Sequence, residues 1–72
     1  MNGYTVKTVY SLIWTSDVGF SGMSEIEHDT IEGAQAEAGA DLSWRAWERD
    51  SWKSTTPDKY GDTFTIVRKY RY

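Results

Sequence analysis

One segment, Asp29–Arg49 (DTIEGAQAEAGADLSWRAWER), carries a sustained helical period, and the sequence on both sides of it alternates as β-strand does. That arrangement restricts the chain to an α+β domain, with one helix available to cover a sheet built from the two flanks. Within the segment Ile31, Ala34, Ala38, Leu42 and Ala46 recur at helical steps and form one apolar stripe for the sheet. Asp29 is placed to cap the helix, with Glu32 at the N3 position of a capping box and near the positive end of the helix dipole. Asp41 and Arg45 are spaced to pair on the helix surface. Gly33 and Gly39 each oppose the helix by about 1 kcal/mol relative to Ala. Gly39 either bends the helix or ends it at Ala38, leaving Leu42-Trp44-Ala46 to alternate as a strand. Because the stripe stays in phase across the glycine, the expectation is one helix reaching Arg49.

The flanks supply four strands. Tyr4–Trp14 alternates, with Tyr4, Val6, Thr8, Tyr10, Leu12 and Trp14 on a core face; Val9 and Ile13 lie on the other face as surface apolar residues or a minor patch. Ser16–Gly22 reads as a loop whose Phe20 turns back onto the core. Met23–His28 reads as a short edge strand, its acidic side chains discouraging unwanted pairing. Ser51–Thr56 and Thr63–Tyr70 form a hairpin about a turn at Pro57–Asp62. The expected fold is a four-stranded antiparallel sheet with one helix packed on one face, in the order strand, strand, helix, strand, strand.

A 72-residue chain is one domain with a small core, and without Cys it has no disulfide to staple it. Its four Trp, five Tyr and two Phe are the compensation, since each ring buries a large area. The lack of Cys fits a cytoplasmic protein. The apolar N-terminal stretch contains Lys7 and no small-residue cleavage site, so it reads as a strand rather than a signal peptide. Asn2 excludes N-myristoylation, and no apolar run approaches the ~18 residues of a membrane span.

Charge is segregated along the chain. Seven acids lie between Asp17 and Trp44 without a Lys or Arg, whereas after Asp50 the cations Lys53, Lys59, Arg68, Lys69 and Arg71 outnumber Asp58 and Asp62. The segregation serves solubility and attraction between the halves, or it presents an acidic face to a basic partner. His28 is the sole histidine, and the Glu25, Glu27 and Asp29 around it do not make a metal site without further ligands. Gly19-x-x-Gly22 lacks the Lys-Ser/Thr of a phosphate loop. With no nucleophile-and-base pair the chain reads as a non-enzyme with no cofactor.

Three binding surfaces remain. If the helix reaches Arg49, Trp44 and Trp47 end a second apolar stripe on its outer side, flanked by Glu37 and Glu48. Such a surface is a protein contact site unless another part of the chain covers it. Glu25 and Glu27, with the acids up to Asp41, could imitate a phosphate backbone. The terminal Arg68-Lys69-Tyr70-Arg71-Tyr72 mixes cations and rings in the manner of a single-strand binder, but the chain as a whole is acidic, so nucleic acid is the least favoured partner.

In the pattern of its first strand YTVKTVYSLIW, its helix start DTIEGA and its last strand GDTFTIVRKY, the chain resembles small orphan proteins of bacteriophage genomes. The resemblance implies a protein that acts in the host cytoplasm by binding a host or phage protein, as small inhibitors of host defence do. A homodimer would be another way to bury the tryptophans.

Overall fold

The computed structural model describes residues 6–71. They form β1 (Lys7–Thr15), β2 (Ser21–His28), α1 (Ile31–Ala38), β3 (Trp44–Ala46), β4 (Ser51–Ser54) and β5 (Thr63–Arg71). The class is α+β, but the sheet has five antiparallel strands instead of four, in the spatial order β2-β1-β5-β4-β3. Tyr4 and Thr5 of the expected first strand lie outside the described residues.

The strands of strongest alternation make the centre of the sheet. β1 and β5 pair over their whole nine-residue lengths, from Lys7 opposite Arg71 to Thr15 opposite Thr63. β2 joins the outer side of β1 through a hairpin whose register shifts between Ser11 and Ile13, a bulge that spans Ser24–Ile26 on β2. β4 pairs with β5 as the expected hairpin. Its loop is ordered by Asp58, whose Oδ1 accepts from the backbone N–H groups of Tyr60 and Asp62, both at 2.9 Å.

The helix starts one residue later, and is far shorter, than the sequence implies. Thr30, not Asp29, is the cap: its Oγ1 accepts from the Gly33 N–H at 3.0 Å. Gly39 closes the helix at φ 143°, and its N–H donates to the Gln35 carbonyl at 3.0 Å. A side-chain-bearing residue rarely holds that backbone angle, which makes Gly39 a terminator rather than a bend. Trp44-Arg45-Ala46 then pairs with Trp52-Lys53-Ser54 as an added edge strand. The Asp41–Arg45 pair and the outer stripe through Trp44 and Trp47 both required a continuing helix, and neither forms.

The core sits between α1 and the centre of the sheet. Leu12, Ala34, Phe64 and Ile66 are buried, and Tyr10, Ile31, Ala38, Leu42, Trp44 and Trp52 pack around them. Ile31, Ala34, Ala38 and Leu42 do face the sheet as their spacing implies, Leu42 from the connection beyond the helix. Ala46 is exposed on β3. Phe20 does not return to the core; it is 72% exposed in the β1–β2 turn. Trp14 lies across Gly22, where an added Cβ would stand 2.5 Å from its ring. Any larger residue at position 22 would dislodge that indole.

Candidate functional site

The register sorts side chains onto two faces. Tyr10, Leu12, Trp52, Phe64, Ile66 and Arg68 share the face that α1 covers. The other face has no helix or strand over it among the described residues, although Val9 and Ser11 in its β1 centre are buried. Across it run two lateral rows, Arg45–Lys53–Thr65–Ile13–Met23 and Ser51–Val67–Ser11–Glu27. Lys69 beside Val9, and Arg71 beside Lys7, continue the face toward one end. Lys7, Arg45, Lys53, Lys69 and Arg71, five of the chain's eight Lys and Arg residues, therefore stand on one side of the sheet. Acid borders that side at its β2 margin, where Glu27 pairs with Arg71, Asp29 pairs with Lys7 and Glu25 sits in the bulge, and at the β3–β4 turn, which holds Glu48. The acids Glu32, Glu37 and Asp41 belong to the helix and its exit, on the opposite side.

Trp47 is the aromatic of this basic face. Its N–H donates to the Ser51 carbonyl at 3.0 Å, the last rung of the β3–β4 ladder, and this places it on the Ser51 side of the sheet. The turn behind it is tight. Ser51 is buried and its Oγ accepts from the Glu48 N–H at 3.1 Å, and Asp50 takes the left-handed backbone angle, φ 61°. Lys53 Nζ lies 4.3 Å and Arg45 Cζ 5.3 Å from the centre of the indole ring, both within cation–π range. The two cations hold the ring against the sheet and leave 46% of the residue exposed. Arg45, Lys53 and Lys69 have no carboxylate partner among the described residues, whereas Lys7 pairs with Asp29 and Arg71 with Glu27.

The residues singled out by sequence separate in space. Trp44 turns to the helix side and packs, partly buried, against the core. Trp47 stands at the β3 edge, while Glu25 and Glu27 lie four strands away on β2, roughly 19 Å at the usual strand spacing. Glu37 faces His28, whose Nε2 donates to its Oε1 at 2.6 Å. Burial raises the Glu37 carboxyl, but hydrogen bonds from Ser24 and His28 outweigh it and hold the group below the ordinary carboxylate value. The Arg71 hydrogen bond, with nearby cations, likewise holds Glu27 low. Glu48 lies in the β3–β4 turn beside Trp47. No single surface unites the tryptophans with these acids, and the aromatic and acidic helix face is replaced by an aromatic and basic sheet face.

The terminal strand divides as well. Lys69 and Arg71 point to the basic face, while Arg68 and Tyr70 belong to the helix side. Tyr72 lies outside the described residues. Arg68 stacks over Trp52 at 4.9 Å and Tyr10 at 5.8 Å and approaches Asp50 at 3.4 Å, which makes it part of the packing.

A groove of about 330 Å³ lies on the helix side, between the helix exit and the β4–β5 loop, lined in part by Ala38, Leu42, Pro57 and Tyr60. Among the described residues no group of three or more His, Cys, Asp or Glu is arranged to hold a metal, and no helix is long and apolar enough to cross a membrane. No protein-family model matches the chain, and comparison with curated proteins and with solved structures likewise gives no match.

Proposed function

We propose that this chain is a non-enzymatic binding module that engages an anionic macromolecular partner through the uncovered face of its sheet. The observation that carries the reading is Trp47, half in solvent between Arg45 and Lys53 on a face with three cations that lack carboxylate partners among the described residues. Exposed tryptophan is costly to leave bare and is favoured where partners bind. A face on which cations outnumber acids also steers an anionic partner to itself. A modulator of a host protein, as the likeness to bacteriophage proteins implies, would act here through an acidic surface on its target in the host cytoplasm. Imitation of nucleic acid has less support, because Glu27, Asp29 and Glu37 already have partners in the molecule. A homodimer through this face would bring like charges together, which is destabilising.

The test is retention on an immobilised polyanion such as heparin. The chain carries a formal net charge of −3 and has an isoelectric point near 4.9, so uniform charge would exclude it from such a resin at neutral pH. Retention at low salt, lost in the double variant Lys53→Glu/Lys69→Glu and kept in Glu32→Gln, is the expected result. Passage of the unaltered protein in the void volume would refute the reading.

A further inference from the structure

We infer that the anionic partner of the basic sheet face is a single-stranded nucleic acid, an inference that rests on the reading of that face as an anion-binding surface. The face offers two chemistries at once. Arg45, Lys53 and Lys69 supply cations spread over roughly 10 Å across the strands and about 13 Å along them, at ordinary sheet spacings. Trp47 supplies a π-face among them. An acidic protein surface satisfies the cations and leaves the indole with no partner of its own kind. A single strand satisfies both, since phosphates meet the cations while an unstacked base lies on the indole.

The surroundings of Trp47 favour the same partner. A tryptophan that anchors a protein interface sits among apolar neighbours that exclude water. Trp47 instead has charged neighbours, in the alternation of base and ring that a polynucleotide chain reads well. A duplex fits less well. Its grooves are read by an inserted helix or ribbon, and α1 lies across the sheet from the cations and carries Glu32 and Glu37. Those acids, with Asp41 at the helix exit, repel a polyanion from the helix side, so the strand has one face to approach. Acid at the β2 margin, Glu25 and Glu27, bounds the footprint on that side. The path crosses β5, β4 and β3, from Lys69 toward Trp47 and Arg45. The contacts are to backbone phosphate and to the faces of bases, so they select single strands over duplex without reading sequence.

The experiment is fluorescence anisotropy of the full chain with labelled oligothymidylate, oligouridylate and a mixed-sequence duplex at low salt. Both single strands should bind more tightly than the duplex, and the ratio of the two single-strand affinities distinguishes a DNA from an RNA ligand. Trp47→Ala should weaken single-strand binding about tenfold, as loss of one stacked base does, while Trp47→Phe keeps most of it. Circular dichroism of both variants should match the parent, because the ring is exposed. The logarithm of affinity should fall against the logarithm of salt concentration with a slope near −2, as roughly three neutralised phosphates require. Lys53→Glu should flatten that slope by about one.

Equal binding of duplex and single strands, or Trp47→Ala without effect, would overturn the inference while leaving retention on heparin intact. Displacement of the oligonucleotide by polyglutamate as readily as by unlabelled strand would do the same and indicate an acidic protein partner. So would salt-sensitive self-association that places the acidic side of one copy on the basic face of another. Failure to bind heparin and every oligonucleotide would remove both the inference and the reading beneath it.

Discussion

Replacing Ile66 with Ala is expected to remove about 2–5 kcal/mol of stability, the loss usual for truncating a fully buried Ile. Ile66 is 0% exposed and the largest fully buried apolar side chain among the described residues. It lies between Leu12 on β1 and Trp52 on β4, under Ala34 of the helix. No neighbouring side chain can collapse into the space, because the lateral positions are fixed by two ladders and the position above by a methyl group on a short helix. A domain of this size has on the order of 4–10 kcal/mol in total. The variant should therefore lose a large fraction of its urea midpoint, or be unfolded at room temperature. The comparison is Val67→Ala, one position along and on the uncovered face, which should cost less because Val67 is only half-buried. Equal losses at the two positions would contradict the placement of the core.

The second large effect concerns where the helix ends. At φ 143° and ψ 139°, Gly39 occupies backbone that a residue with a Cβ enters only at a cost of about 1–3 kcal/mol. Restricting the unfolded chain by the same substitution returns about 0.4–1 kcal/mol. Gly39→Ala is therefore expected to destabilise the domain, read by chemical denaturation. The sign decides the matter. If the helix instead ran through to Arg49, the substitution would remove a mid-helix glycine and stabilise the protein by about 1 kcal/mol. A gain in stability, accompanied by more helical circular dichroism, would contradict the five-stranded sheet.

Gly39 also marks the boundary of what local sequence reveals. The long strands were legible because Tyr10, Leu12, Phe64 and Ile66 recur at every second position among β-branched and small polar residues such as Val9, Ser11, Thr65 and Val67. The first two turns of the helix were legible from Ile31, Ala34 and Ala38. Beyond them Leu42, Trp44 and Ala46 satisfy a period of two as well as the helical period, and the stripe alone favoured the helix. The backbone angle at Gly39 and the packing of Trp44 against the core, with Trp44–Ala46 paired to Trp52–Ser54, decide for a strand. The cap moved by one residue for a similar reason: Asp29 and Thr30 are both good capping types, and the Thr30 hydroxyl is the one that reaches the Gly33 N–H.

The candidate site was legible only in fragments. Trp47 stands out in sequence as a large ring in a polar stretch, but its neighbours come from strands and not from a helix. Arg45 meets Lys53, and Lys53 meets Thr65, only through pairings between separate strands. The available signal was the spacing of Arg45 and Trp47, and of Lys69 and Arg71, each two apart on a strand and so on one face. Charge segregation is legible along the chain. Its meaning changes in three dimensions, where helix and sheet turn a sequence asymmetry into two sides of opposite sign. The terminal cluster of cations and rings divides in the same way, with Lys69 and Arg71 on the basic face and Arg68 drawn into packing against Tyr10 and Trp52.

The most direct test of the basic face is a titration of the isotopically labelled protein with a single-stranded oligonucleotide, followed in amide and indole N–H spectra. Shifts centred on Arg45, Lys53, Thr65, Lys69 and the Trp47 indole, with Glu32, Glu37 and Asp41 unmoved, are the predicted result. Shifts centred on the helix, or on the exposed Val18, Phe20 and Tyr60 of the far loops, would contradict it, as would a spectrum that does not change.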